Sequence, residues 1–265
     1  SVLAEAAAAT GEVAYKEAAE RIMAVLLSEL RRSDGRVLRS LRAGEGQILG
    51  FSADVAWLLE ACVRLFELTG QRRYLEEADA LASQLLSVFV DGETGGLFTT
   101  GSDGERLVVR PRELFDNVIP AASSVAAVAM ARLGAILGRS DLEEAAHRLV
   151  AAGGAGILRA PTAVPELLWA SHLAASGPLE IAVTPGAEDV MWAMRCQFLP
   201  SAVFVWSETS GDQVGEGPPL PLLAGREAGK VYVCRSGTCR LPASDLEGAM
   251  REVAAAVGSP QHSPD

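Results

Sequence analysis

Five apolar residues, Tyr74, Ala78, Leu81, Leu85 and Phe89, recur every three or four positions, with polar residues between them. That spacing puts them on one face of a helix that packs inward and leaves its other face to water. Residues 55–68, just before it, are apolar on nearly every side and stop at Gly70. This is the pattern of a more deeply buried helix ended by a C-terminal glycine. The pairing returns further on: 121–137 predicts a second buried helix ended by Gly138, and Leu142-Glu143-Glu144-Ala145 opens another amphipathic one. Laying that segment over Tyr15-Lys16-Glu17-Ala18-Ala19 and Tyr74-Leu75-Glu76-Glu77-Ala78 gives a repeat of about 60 to 70 residues.

Helix pairs that stack in this way form either an open solenoid or a ring, the α/α toroid. Solenoid repeats run ~34 to 47 residues, so the longer spacing here favours the ring. Residues 1–177 are therefore predicted to hold three helical hairpins, too few to close it, and to expose an apolar edge. Between hairpins, the turn Asp91–Gly96, the β-prone run Leu97–Gly101 and a return strand Leu107–Val109 predict a β-hairpin. After Ala175 the pattern changes. Leu179–Val183 and Ala202–Trp206 read as strands around a helix from Ala187 to Phe198, with a third strand at Val231–Val233 and a closing helix from Asp245 to Val257. The fold class is mainly α: a partial α/α toroid over 1–177, a small C-terminal α/β module over 178–258, and a frayed tail over 259–265.

Composition narrows the function classes. With 49% hydrophobic and 22% charged residues, the chain is too apolar for disorder and too evenly charged for a membrane protein. No apolar run approaches the ~20 residues that span a bilayer. The net charge of -11 repels phosphate backbones and anionic lipid heads, so neither nucleic acid nor a membrane surface is expected as a partner. Ser1–Thr10 is alanine-rich but has no basic start, and it reads as the cut edge of a longer chain rather than a signal peptide. Four cysteines without a secretory signal fit a reducing compartment, with cytoplasm as the expected location.

Three segments carry a resemblance: Gly50-Phe51-Ser52-Ala53-Asp54, Val109-Arg110-Pro111-Arg112-Glu113-Leu114-Phe115-Asp116 before Pro120, and Tyr232-Val233-Cys234 followed by Cys239 and Pro242. Together with Thr69–Ala78 they resemble the C-terminal part of the YyaL-type thioredoxin-domain-containing proteins, the spermatogenesis-associated thioredoxin-like group, from about Tyr15 to Val257. The resemblance implies a toroid like that of the N-acylglucosamine 2-epimerases and six-hairpin glycosidases, preceded in the full protein by a thioredoxin-like domain that would be this chain's partner. It names no reaction. The chain departs from the family pattern at 115–124, where Asp116, Pro120 and Ser124 remain but the small and amide-bearing positions between them do not. It departs again at Asp54-Val55, where the family has Asp-Tyr.

Two carboxylates are the candidate catalytic pair. Asp54 and Asp116 each precede an inner helix of successive repeats, which would bring both to one rim of the ring at a separation near the ~6.5 to 9.5 Å of inverting glycosidases. Arg110, Arg112, Trp57 and Ser124 are the candidate contacts to a sugar or other small polar ligand. The plainer reading is capping, which suits Asp54 at a natural N-cap; with Pro120 opening its helix and Ile119 as the cap, Asp116 would lie in the loop. The histidines His147, His172 and His262 belong to no polar cluster, which leaves a histidine-based epimerase unsupported. Cys234 and Cys239 read as incidental thiols, a redox pair or two metal ligands; a structural zinc site would need a second pair at suitable spacing, and there is none. Cys62 reads as core. The turn Thr184–Glu188 offers free helix N–H groups to an anion. No motif demands a cofactor. Two functions remain: an interaction or scaffold domain attached to thioredoxin-type chemistry, and a carbohydrate-binding or carbohydrate-modifying domain. A cleft lined by aromatics and carboxylates would favour the second.

Overall fold

The computed structural model describes residues 1–207 and 220–258. Helix α3 (Ser52–Thr69) buries 13 of its 18 residues, and Gly70 closes it with φ 66° and a 2.7 Å hydrogen bond from its N–H to the Phe66 carbonyl. Only glycine adopts that left-handed turn without strain. Helix α4 (Arg73–Val88) returns along α3 with Tyr74, Leu75, Ala78, Leu81, Ala82 and Leu85 buried. The same inner and outer pairing is made by α5 (Ala122–Leu137) with α6 (Ser140–Arg159), and by α1 (Val2–Thr10) with α2 (Val13–Glu29). A seventh helix, α7 (Pro165–Ser176), packs on α5 and α6. Helices α1, α3, α5 and α7 thus follow one another as an inner layer, and α2, α4 and α6 back them.

The predicted hairpin at 97–109 does not form. Val90 and Leu97 make a single bridge, Thr99 donates to the Pro111 carbonyl at 2.8 Å, and residues 105–120 carry no strand. Guanidinium groups of Arg110 and Arg112 hold this loop instead of a strand ladder. The hairpin that does form is β1 (Leu38–Arg42) with β2 (Glu45–Leu49), joined by Ala43 and Gly44 at φ 52° and 80°. Positive φ at both turn residues is the tight geometry that matches strand twist. Alanine there, and the charged residues Arg39, Arg42 and Glu45 in the strands, hid it from the hydrophobic pattern.

The C-terminal module has β3 (Leu179–Val183), α8 (Glu188–Arg195), β4 (Ala202–Trp206), β5 (Val231–Arg235), β6 (Thr238–Cys239) and α9 (Leu246–Gly258). The sheet order is β4-β3-β5-β6, with β3 and β4 parallel and the other pairs antiparallel. The short β6 and the early end of α8 at Arg195 differ from the sequence expectation. Asp245 precedes α9, its carboxylate accepting from the Gly248 N–H at 2.7 Å as an N-cap does. One sheet face packs Leu179, Ile181, Val183, Val231 and Val233 on α8 and α9. Val203 and Val205 of β4 point the other way and join the helical core. The module is therefore pressed against the inner helices.

Candidate functional site

Asp54 is the third residue of α3, not its cap; Phe51 holds the cap position. The Asp54 carboxylate accepts from the Phe51 N–H at 2.8 Å and pairs with Arg39 of β1 at 2.9 Å. Asp116 is used still more completely. One oxygen accepts from the Ala121 N–H at 2.8 Å, and the other from the Glu166 and Leu167 N–H groups at 2.9 and 3.4 Å. Helix α5 begins at Ala122 with Ala121 as cap, so Pro120 does not open it, and Asp116 ties that start to the first turn of α7. Neither carboxylate lines either of the two cavities described below.

Arg110 and Arg112 serve the loop. Arg110 donates to the carbonyls of Thr100 at 2.5 Å and Val88 at 3.2 Å, Arg112 pairs with Asp91, and both guanidiniums lie on the Phe98 ring. Ser124 is buried in the first turn of α5. At the start of α8, the Gly186 N–H donates to the carboxylate of Glu188, so the chain supplies its own anion at the place considered for a phosphate. His172 stacks on Trp169 with ring centroids 5.1 Å apart, His147 lies on α6, and His262 lies outside the described residues.

Of the candidate contacts, Trp57 does reach a cleft. A cavity of about 480 Å³ opens between α1, α3, α5, α7 and the segment from α8 to β4. Four of its residues come from one face of α3: Trp57, Glu60, Arg64 and Glu67, spaced three or four apart. Arg132 of α5, Glu166 and Trp169 of α7, and Arg195 and Phe204 of the module complete it. The polar groups were missed because they interrupt a helix whose apolar content marks it as core. The signal is nonetheless in the sequence, as a charged stripe at helical spacing inside an otherwise buried helix.

The charges in this cleft are coupled. Arg132, 1% exposed, donates from Nη2 to both oxygens of Glu67 at 2.7 and 2.9 Å and to the Ala202 carbonyl at 2.7 Å. Arg64 pairs with Glu60 at 2.6 Å and with Glu5 of α1 at 3.0 Å. The Glu67 carbonyl accepts from Arg195 and from the Trp206 indole, the latter at 2.7 Å. Burial alone would push the Glu60 carboxyl up, but the guanidiniums of Arg64 and Arg132 outweigh it and hold that group below its ordinary value. Glu166 moves the other way, raised by burial and by the nearby charges of Glu60 and Asp116. Burial also lowers Arg195, to about 10. Several buried atoms around the cavity have no hydrogen-bond partner among the described residues: Trp57 Nε1, Glu60 Oε2, Arg132 Nε and Nη1, and Arg195 Nε. A buried polar atom left in that state is costly, and such atoms gathered at one cavity mark a place where a ligand or ordered water bonds.

Cys234 and Cys239 are joined by a disulfide that bridges β5 and β6. Cys62 is free and buried, packed in the helical core. Among the described residues no group of three or more His, Cys, Asp and Glu is placed to hold a metal ion, and no helix is long and apolar enough to cross a membrane.

These features define a mainly helical chain of paired helices with a small sheet module and a charged, aromatic inner cleft. No family model matches it. An uncharacterized protein of Caenorhabditis elegans is 25% identical over 258 residues, covering 92% of this chain and 35% of that protein. Spermatogenesis-associated protein 20 of Rattus norvegicus is 26% identical over 232 residues, and its Homo sapiens counterpart 25%, each covering 80% of this chain and 29% of the relative. The chain spans about a third of the length of these relatives. Among solved structures, the cellobiose 2-epimerase from Bacillus thermoamylovorans superposes with a TM-score of 0.47 at 13% identity, over 56% of this chain and 40% of that one.

Proposed function

We propose that the cleft on the inner face of α3 binds a small polyhydroxylated molecule of the carbohydrate class, within hairpins that form part of an α/α toroid. The observation that carries this reading is the set of unpartnered donors and acceptors at one cavity: Trp57 Nε1, Arg132 Nε and Nη1 to donate, and Glu60 Oε2 to accept. A sugar hydroxyl both donates and accepts, so vicinal hydroxyls satisfy a mixed set that a purely anionic or cationic ligand does not. The indoles of Trp57 and Trp169 supply the flat apolar faces on which a sugar ring packs. Glu166, whose carboxyl is raised by burial, and Glu60, whose carboxyl is held down by Arg64 and Arg132, are pushed in opposite directions, the kind of split carboxylate pair that acid–base chemistry uses. The carbohydrate reading thereby gains over the scaffold reading, with Glu60 and Glu166 in the roles first given to Asp54 and Asp116.

The test is calorimetric titration of the 265-residue chain with a panel of mono- and disaccharides. At least one should bind saturably, Trp57→Ala should weaken it about tenfold, equal to ~1.4 kcal/mol, and Glu166→Gln should retain binding. Absence of saturable binding across the panel, or affinity untouched by Trp57→Ala in a variant of unchanged melting temperature, refutes the proposal.

The interaction reading keeps one observation of its own. The loop 107–119 turns Val108, Val109, Leu114, Phe115, Val118 and Ile119 outward, more apolar surface than a short loop normally leaves in water. In a longer cytoplasmic protein of the YyaL-type pattern, this loop would dock on the remaining chain, the thioredoxin-like domain included.

A further inference from the structure

We propose that Cys234 and Cys239 form a reversible dithiol–disulfide couple, with Cys239 as the sulfur that exchanges with an external dithiol. The proposal is independent of the carbohydrate reading and concerns a different part of the molecule, where α5, α6 and α7 meet the sheet module. There a second cavity, about 600 Å³, is lined by Glu143 and His147 of α6, Glu180 of β3, Arg226 and Cys239.

The two sulfurs have different surroundings. Cys234 is 0% exposed, while Cys239 is exposed at the cavity. Arg226 Nη2 lies 2.9 Å from the Cys239 sulfur and 3.6 Å from that of Cys234. The guanidinium is fixed there by its Nε–H bond to the Leu222 carbonyl at 3.2 Å and by lying 4.3 Å over the Tyr232 ring. No carboxylate pairs with Arg226 among the described residues. A disulfide is a neutral, weak acceptor, so a cation aimed at it has little to gain while the bond is intact. Reduction changes that. A Cys239 thiolate would be the counter-ion this guanidinium lacks, and a neighbouring cation is what lowers a thiol into its reactive range.

The buried sulfur has a proton source. Glu180 stands directly across the β3–β5 ladder from Cys234, 7% exposed, and register partners put their side chains on the same sheet face about 4.5 to 5.5 Å apart at Cβ. Burial first, then the Glu143 carboxylate, push the Glu180 carboxyl up to about 7, so near neutral pH it holds a proton part of the time. Glu143, His147 and Arg226 are the other titratable or charged groups lining that cavity.

The steps balance. A thiolate of the dithiol, its proton given to solvent, attacks the Cys239 sulfur; a mixed disulfide forms and the Cys234–Cys239 bond breaks. The electron pair leaves on the Cys234 sulfur, which takes the Glu180 proton, and solvent reprotonates Glu180. The second thiol, deprotonated by solvent, then attacks its partner sulfur and releases Cys239 as a thiolate beside Arg226. The dithiol loses two electrons and becomes a disulfide; the protein gains them as one thiol and one thiolate, and one proton is released overall.

The experiment equilibrates the full chain with dithiothreitol redox buffers, alkylates free thiols, and locates them by peptide mass mapping so that Cys62 and Cys196 are counted separately. Circular dichroism monitors the fold. In the reduced protein, the Cys239 thiol should titrate below the ordinary value of about 8.5. Arg226→Gln should raise it and make reduction less favourable, about tenfold in equilibrium constant for each pH unit by which the thiol moves. Arg226→Lys should retain part of the effect. A pair that is reduced only when the protein unfolds, or a Cys239 thiol that titrates at or above its ordinary value regardless of residue 226, overturns the proposal.

Discussion

Replacing Glu180 with glutamine should make the protein more stable in alkaline solution and leave it unchanged in acid. Glu180 lies in a strand buried along its whole length, facing the helical layer, with its carboxyl raised to about 7. In the unfolded chain the same group titrates near 4.5. A carboxyl whose folded value is raised keeps its full contribution to stability below about 4.5 and loses it as pH rises through about 7. At roughly 1.4 kcal/mol per pH unit, that gap corresponds to about 3 kcal/mol as an upper bound, the cost of holding the ionised group in place. Glutamine keeps the shape of the neutral acid and cannot ionise. Urea denaturation of both proteins, disulfide intact, from pH 4 to pH 8 should give nearly equal stabilities at the acid end and an advantage of ~2 to 3 kcal/mol to Glu180→Gln at the alkaline end. That is several degrees in melting temperature for a chain of this size. Glu143→Gln, which removes only the smaller cause, should recover a lesser part. Parallel stability curves for wild type and Glu180→Gln across the range would refute the reasoning.

Asp116→Asn should cost about 1 to 3 kcal/mol, since a charged acceptor for three backbone N–H groups at two helix starts becomes a neutral one, and it should leave ligand affinity unchanged. Arg132→Met should cost about 3 to 5 kcal/mol by stranding Glu67 without its fully buried partner, and adding Glu67→Gln should restore part of the loss. Chemical denaturation checks both. A loss under about 1 kcal/mol for Arg132→Met would mean the pair is not held as described.

The helices were legible because their signals are local. Apolar periodicity and the glycines at 70 and 138 give α3 to α6 within a few residues, and short, largely apolar runs give β3 and β4 at their ends. The hairpin errors have a common cause. Glycines and β-prone residues at 92–101 looked like a ladder, but Arg110 and Arg112 bond to that segment through side chains, and no local pattern reports which long side chain will reach where. The reverse holds for β1 and β2, which the charged residues at 39, 42 and 45 disguised. Site residues were harder still. Asp54 and Asp116 were conspicuous because they stand at helix beginnings, and that position is also why backbone N–H groups claim them. Trp57, on the face of α3 that looks inward, was the one candidate to line the cleft.

Glu67 shows why the cleft could not be read from one segment. Its side chain holds Arg132, 65 residues away in sequence, while its carbonyl holds Arg195 and Trp206, 128 and 139 residues away. The residue is therefore a joint between the helical layer and the sheet module. Gly70, three residues on, fits the same joint: a Cβ there would come within 3.2 Å of the Trp206 carbonyl oxygen. Three hairpins were expected to leave an apolar edge. Part of their inner surface is instead covered by Val203 and Val205 of β4, and Arg132 anchors that strand at Ala202. It follows that cleft and module depend on each other. The module forms one wall of the cavity through Arg195 and Phe204, and the buried charges of the cavity find part of their compensation in the module's backbone and side chains. A charged stripe on an inner helix is tolerable only where such partners arrive from elsewhere in the chain. This is the physical reason why the stripe at Trp57, Glu60, Arg64 and Glu67 gains its meaning only in the folded protein.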